Sequence, residues 1–507
     1  VCPPNLPKSQ QRSYTVVALT AAQALQNQAA PYKSQLVYNT RGPMADSNAI
    51  LYFQLADLTC PGGKPGPQCQ ANKQDPDPLV LRADAGDCLT VTLYNALPQT
   101  LAAPGAQSPI NICSSSGSAA ACNSNTSSAV GLHPQLVSFD ATKGDGFNAG
   151  NNPVQTVAAL ASGGTASCPA DAKAQVNCAT YTWYAGNVDP TAPAGKQHIP
   201  IEFGAANLLP SDTFNHHQYG LFGALVIEPA GATCGGGQPI ESCTGTTAKI
   251  ASPGQSFTEF VLITQDGLQG PTGGSGSTTT TAQYFQFLPA GLAADQLNAV
   301  NYRSEPLFLT GPNPQINVRT CSSTTDFSCV LSSSSTGAQC CTSVSAGVCS
   351  YTPCNDAQTP IFQACAGDQV RFRVLQAGGI NTNNVFEIYG HVWQEQPYMS
   401  SGKGCPPPTT HTNLYSSSVI GTGNGCGPLE QDTYSEYQGS RMGHGPSNHF
   451  DALIESAGGA NKVPGDYLYR SYPADHFRLG LWGIFRVQSC PVVPGASGGT
   501  AAGGGGR

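Results

Sequence analysis

The sequence predicts an all-β protein built from two β-sandwich domains. Three observations predict it: period-two alternation in short segments, a scarcity of helical pattern, and a set of landmarks that occurs twice in the same order. Leu89-Thr90-Val91-Thr92-Leu93 and Val370-Arg371-Phe372-Arg373-Val374 alternate as strands do, placing successive side chains on opposite faces. Phe260-Val261-Leu262-Ile263 and Ala224-Leu225-Val226-Ile227 are short continuous apolar runs, suited to strands buried on both sides. Ala21 to Gln28 is the best short helix candidate.

The repeated landmarks come in two kinds. Pro78-Leu79-Val80-Leu81-Arg82-Ala83-Asp84-Ala85-Gly86-Asp87 resembles Pro360-Ile361-Phe362-Gln363-Ala364-Cys365-Ala366-Gly367-Asp368: a strand, an Ala-Gly-Asp turn, then an alternating strand. Glycine suits the turn backbone, and the aspartate can bond the turn amides. Further on, Gly220-Leu221-Phe222-Gly223-Ala224 resembles Gly480-Leu481-Trp482-Gly483-Ile484, each opening an apolar strand. The order predicts an N-terminal extension at 1–12, one domain at 13–232, a linker at 233–252, a second domain at 253–490 and a Gly/Ala-rich tail at 491–507.

Composition narrows the function classes. Only 10% of the 507 residues are charged, against about 25% in typical soluble domains. With a net charge of −8 and no Lys/Arg cluster, nucleic acid is excluded as a partner. No apolar run approaches the ~20 residues of a membrane span. The opening Val1-Cys2 reads as a processed end. Twenty cysteines point to an oxidising location: secreted, extracellular or cell-surface, with the periplasm as an alternative. The close pairs Cys60/Cys69, Cys113/Cys122, Cys168/Cys178, Cys234/Cys243, Cys321/Cys329 and Cys405/Cys426 read as loop staples rather than metal ligands, with connectivity left open. Long neutral loops at 101–128, 267–280, 321–358 and 401–425 suggest functional or interfacial surface, and the tail suggests a flexible end or a segment docked on another subunit.

Taken together, Arg82–Asp87, Gly131-Leu132-His133-Pro134-Gln135, Tyr181-Thr182-Trp183-Tyr184, Gly220–Pro229, Phe260–Asp266, Asn301–Leu307, Gly390-His391-Val392-Trp393 and Gly480–Val487 resemble bacterial multicopper oxidases, in particular the branch with putative manganese oxidases. The resemblance implies cupredoxin-like Greek-key domains. It also implies a type 1 copper held by thiolate and imidazole, and a three-copper cluster held by imidazoles. The four ligand motifs it implies are mostly absent. The first His-x-His reads His133-Pro134-Gln135, and no second one precedes Gly220; His216-His217 are adjacent instead. The third motif reads Asn384-Val385-Phe386-Glu387-Ile388-Tyr389-Gly390-His391. In the fourth, Ser471 stands where the thiolate belongs, His476 remains, and Leu481 takes the axial place.

His133 and His476 are therefore remnant metal positions, and His216 with His217 is a candidate relocated site. His391 is a conceivable partner for His476. His444 and His449 lie in a Gly-rich stretch and are expected to be exposed. Asp140 and Asp145 form a candidate acid/base pair. No catalytic residue is assigned, no cofactor is expected, and copper is the alternative. The leading expectation is a secreted, non-catalytic, self-assembling homo-oligomer, a filament or surface subunit or a trimer. The alternatives are a copper-dependent oxidoreductase with a reduced or relocated site, and an extracellular ligand-binding module.

Overall fold

The computed structural model describes residues 1–40, 44–101, 126–160, 177–268, 297–306, 339–345, 348–353, 356–379, 383–394 and 437–490. The long loops and the 491–507 tail singled out above fall largely or wholly outside these residues, as do the cysteines at 113, 122, 168, 321, 329, 405 and 426.

The first half contributes β1 (Gln11–Thr20), β2 (Ile50–Gln54), β3 (Leu79–Asp84), β4 (Cys88–Asn95), β5 (Leu132–Pro134), β6 (Ser138–Phe139), β7 (Asn177–Tyr184), β8 (Gly204–Pro210) and β9 (Gly223–Glu228). They form two sheets, ordered β6-β7-β4-β1-β2 and β3-β9-β8-β5. The second half contributes β10 (Thr233–Cys234), β11 (Thr247–Ser252), β12 (Gln255–Leu268), β13 (Leu297–Val300), β14 (Ile361–Cys365), β15 (Val370–Gln376), β16 (Asn384–Ile388), β17 (Ser440–His444), β18 (His449–Ile454), β19 (Gly465–Ser471) and β20 (Trp482–Gln488). Its sheets run β10-β11-β12-β15-β18, with β13 also on β12, and β14-β20-β19-β16-β17.

Each half has the same two parallel pairs among its antiparallel neighbours: β1 with β4 and β3 with β9, then β12 with β15 and β14 with β20. Two packed sheets with this crossover order make a Greek-key sandwich. The fold is cupredoxin-like in both halves.

The continuous apolar runs are explained by their two faces. On β1, Tyr14, Val16 and Ala18 enter the first half's own core, while Val17 and Leu19 enter a core shared with the second half. β12 does the same, with Phe260 and Leu262 inward and Val261 and Ile263 in the shared core. β9 sends Leu225 and Ile227 inward and Ala224 and Val226 to the shared core. A strand that serves two cores has no polar face, so its sequence loses the alternation of a half-exposed strand.

Both Ala-Gly-Asp turns are built alike. Gly86 (φ 92°) and Gly367 (φ 90°) take the left-handed backbone that a side chain resists. Asp87 accepts the Asp84 amide at 2.9 Å, and Asp368 accepts the Cys365 amide at 3.0 Å. Beside these turns sit two disulfides that spacing did not suggest, Cys2–Cys88 and Cys365–Cys490, spanning 86 and 125 residues. Cys60–Cys69 and Cys234–Cys243 are the expected short staples. The helix expected at 21–28 is only one turn, α1 (Ala21–Ala24), started by a reciprocal Thr20–Gln23 capping box. A second, α2 (Ala474–Arg478), went unforeseen. Among the described residues, no helix is long and apolar enough to cross a membrane.

Candidate functional site

Pairing of β16 with β19 sets Phe386 opposite Ser471 and brings Asn384 within hydrogen-bond reach of its hydroxyl, while α2 carries His476 to the same group. The Ser471 hydroxyl donates to Asn384 Oδ1 at 3.2 Å and accepts the Val385 amide at 3.2 Å. It lies 3.0 Å from His476 Nδ1. A hydroxyl has one proton and two lone pairs. With its proton on Asn384, its second lone pair takes the Nδ1 proton of His476, and its bonding capacity is spent. Burial lowers the His476 pKa.

His444 joins this place and was missed. It ends a strand rather than lying in a loop, and it is buried, not exposed, because β17 pairs it with Asn384. Burial, helped by the charges of Arg441 and His476, lowers its pKa to about 4. With Ser471, Phe386 and Leu481 it lines a cavity of about 10 Å³, room for roughly one water.

The first half repeats this hairpin. Ser211, His216 and Leu221 carry the same spacing as Ser471, His476 and Leu481. In both, the leucine amide donates to the histidine carbonyl at 3.0 Å. Here, however, the imidazole is enclosed: His216 Nε2 donates to the Ser127 carbonyl at 2.7 Å and Nδ1 accepts the Asp212 amide at 3.3 Å. Ser211 Oγ is bonded to the Ala129 carbonyl at 3.2 Å. The repeated spacing was the available signal for this equivalence.

The remaining candidates disperse. His133, on β5, donates Nδ1–H to the Asp145 carboxylate. Gln135, two residues on, bridges the halves: it donates to Ser447 Oγ at 2.6 Å and accepts the Asn207 amide at 3.2 Å. His217 turns away from His216 into the junction between halves, so the two do not share a site. His391 is no partner for His476, since Nδ1 bonds the Tyr389 carbonyl and Nε2 accepts the Gly458 amide, each at 3.0 Å. His449 begins β18, and burial lowers its pKa. Asp140 is no partner for Asp145; it caps a turn through the Thr142 hydroxyl and amide, which hold its pKa at about 2.

The donor set does not fit a type 1 copper. A hydroxyl and a carboxamide, already bonded to each other, stand where the resemblance puts the soft thiolate and an imidazole. Where the resemblance puts the second imidazole of the first His-x-His, Gln135 offers a carboxamide engaged across the junction. Among the described residues, no three His, Cys, Asp or Glu side chains gather as a metal site needs.

Sequence reasoning also missed a buried charge cluster at the junction. Arg82 of β3 contacts Glu259 of β12 at 2.8 Å. Arg373 of β15 reaches Glu259 at 2.8 Å, Glu228 of β9 at 2.8 Å and Asp451 of β18 at 2.6 Å. Burial and the Glu259 charge push Glu228 well above the carboxylate range. Burial works against Glu259 too, but the two guanidinium groups outweigh it and hold its pKa far down.

No family model matches the chain, and no curated protein matches it. Solved structures do. A copper nitrite reductase from Nitrosomonas europaea aligns over 94% of each chain, at 11% identity and TM-score 0.39. The multicopper oxidase mgLAC aligns over 96% of this chain and 89% of its own, at 11% identity and TM-score 0.41. A blue copper oxidase from Nitrosomonas europaea aligns over 94% and 86%, at 10% identity and TM-score 0.40.

Proposed function

We infer that the chain is a non-catalytic cupredoxin scaffold, exported to an oxidising compartment and assembled there with copies of itself. The observation that carries this reading is the Ser471 hydroxyl, which stands where the resemblance implies a copper thiolate and is saturated by Asn384, His476 and the Val385 amide. The equivalent place in the first half is closed by backbone bonds to His216. The disulfides support export. Self-association is supported by the weakly charged surface and by exposed Tyr389 and Tyr472 flanking Arg470, a residue mix favoured at interfaces. Such an arrangement serves as an extracellular building block, in a filament, a surface layer or a closed ring.

Metal analysis and electron microscopy of the native material test this together. The expected result is polymers or closed oligomers with far less than one copper per chain, and a Tyr389→Ser/Tyr472→Ser variant that dissociates. One tightly bound copper per chain with dioxygen-consuming activity would overturn it. A second reading, a single copper held by His444 and His476, is favoured by the electrostatic interaction between the two imidazoles, with His444 lining a small cavity beside Ser471, the hydroxyl His476 bonds. It predicts bound copper that His444→Ala removes.

A further inference from the structure

One guanidinium serves three carboxylates where the first half meets the loop closed by Cys234–Cys243. Arg12, near the start of β1, lies 2.6 Å from Asp87 and 3.5 Å from Asp84, the two aspartates of the Gly86 turn. It also lies 2.6 Å from Glu241, in a short 3₁₀ turn, Ile240–Ser242, inside that loop. Ile240, beside it, is anchored elsewhere: it packs with Ala248, Ile250 and Phe257 of β11 and β12. The bond from Arg12 to Glu241 therefore ties a turn rooted in the second half to a turn of the first.

With every group ionised, three negative charges would share one positive charge. The side chains of Arg12, Asp84 and Asp87 are almost wholly enclosed, and Asp84 Oδ1 and Asp87 Oδ1 are buried without a hydrogen-bond partner. The Glu241 side chain is 37% exposed, so it is the carboxylate that water can take back. The charged neighbours are committed elsewhere: Arg82, two residues along β3, to Glu259 at 2.8 Å, and Glu228, opposite Asp84 on β9, to Arg373 at 2.8 Å. Burial raises the phenol pKa of Tyr14 and of Tyr184, so both stay neutral here. Excess negative charge in such a place is relieved by a proton. Asp84 is where it binds, because burial, and after it the Asp87 charge, push its pKa up to about 7.

We propose that this cluster is a pH-sensitive latch: with Asp84 protonated, Arg12 holds Glu241 and the 3₁₀ turn is closed onto the first half; with Asp84 ionised, the turn loosens. The ionised Asp84 takes a share of the guanidinium and repels Glu241. The rest of the loop stays attached, because Arg82 donates to the Cys243 and Gly245 carbonyls at 2.8 and 3.0 Å. The latch goes beyond the scaffold reading and does not rest on it, since it involves neither Ser471 nor His476.

The test is hydrogen exchange on the full chain at pH 6 and pH 8. The Ser242 amide donates to the Pro239 carbonyl at 2.9 Å and the Cys243 amide to the Ile240 carbonyl at 3.1 Å, so their exchange reports the state of the turn. After correction for the intrinsic rate, the open fraction at these amides should rise about twofold to fivefold from pH 6 to pH 8, the worth of a half-exposed ion pair. Asp84→Asn should abolish the rise and keep the turn as closed at pH 8 as at pH 6. Glu241→Gln should open the turn at both pH values and leave no rise. Equal opening at the two pH values in the unmodified chain would overturn the proposal, and so would a rise that survives either substitution. The first comparison needs no variant, so it decides the matter even where a substitution prevents folding.

Discussion

Strands β4 and β15 occupy equivalent places and have the same alternating pattern, Leu-Thr-Val-Thr-Leu in one and Val-Arg-Phe-Arg-Val in the other. Their apolar residues face their own cores alike. Their polar residues do not behave alike. Thr90 and Thr92 stand at a partly open face, where Thr92 meets Thr180 at 3.1 Å. Arg371 and Arg373 are buried, Arg371 against Glu202 at 2.7 Å and Arg373 in the junction cluster. Alternation tells which residues share a face; it does not tell whether the polar face meets water or another domain. The charge itself is the clue, since a buried arginine needs partners from elsewhere in the chain.

The largest expected effect breaks that comparison directly. Arg373→Thr gives the second half the first half's residue, removes the cation that Glu228 and Asp451 contact and leaves Glu259 with Arg82 alone, costing about 3–5 kcal/mol in denaturant unfolding. The reverse change, Thr92→Arg, should stay within ~0.5 kcal/mol. Next come the paired hairpins. His216→Ala empties a closed pocket and orphans the Ser127 carbonyl, for about 2–4 kcal/mol. His476→Ala, at a half-open place, should cost less than ~1 kcal/mol. Similar losses for the two would mean the hairpins are equally closed.

The last contrast separates the two turns by pH. Asp84 is pushed up to about 7 by burial and by the Asp87 charge, whereas its counterpart Cys365 is held in a disulfide. A carboxyl with a raised pKa binds its proton more tightly folded than unfolded. It therefore withdraws stability as pH rises from about 4 to about 7. Asp84→Asn should flatten that fall in a pH series of melting curves, while changes at Asp368 should leave it in place.

Much of this architecture could be read in advance where local chemistry dictates it. The Ala-Gly-Asp turns were legible because a left-handed glycine and an amide-binding aspartate leave few alternatives. Strands β9 and β12 were legible as doubly buried, though not what lay on their second face. What escaped depended on distant partners. Nothing near Arg82 in the sequence announces Glu259, 177 residues away. His444 looked like a loop residue because its pairing with Asn384 is set by a register 60 positions apart, not by its glycine-rich neighbours. The Ser211-His216-Leu221 echo was visible but hidden by the adjacent His217, which invited a reading of the two histidines as a pair.

The shared apolar core has a consequence for how the chain is made. Synthesis completes the first sandwich while Val17, Leu19, Ala224 and Val226 still lack the Val261, Ile263 and Leu375 that cover them. Until the rest of the polypeptide emerges, that surface is adhesive. Neither half is expected to be a stable product by itself, and a truncation after residue 232 should aggregate or be degraded rather than yield a smaller functional protein.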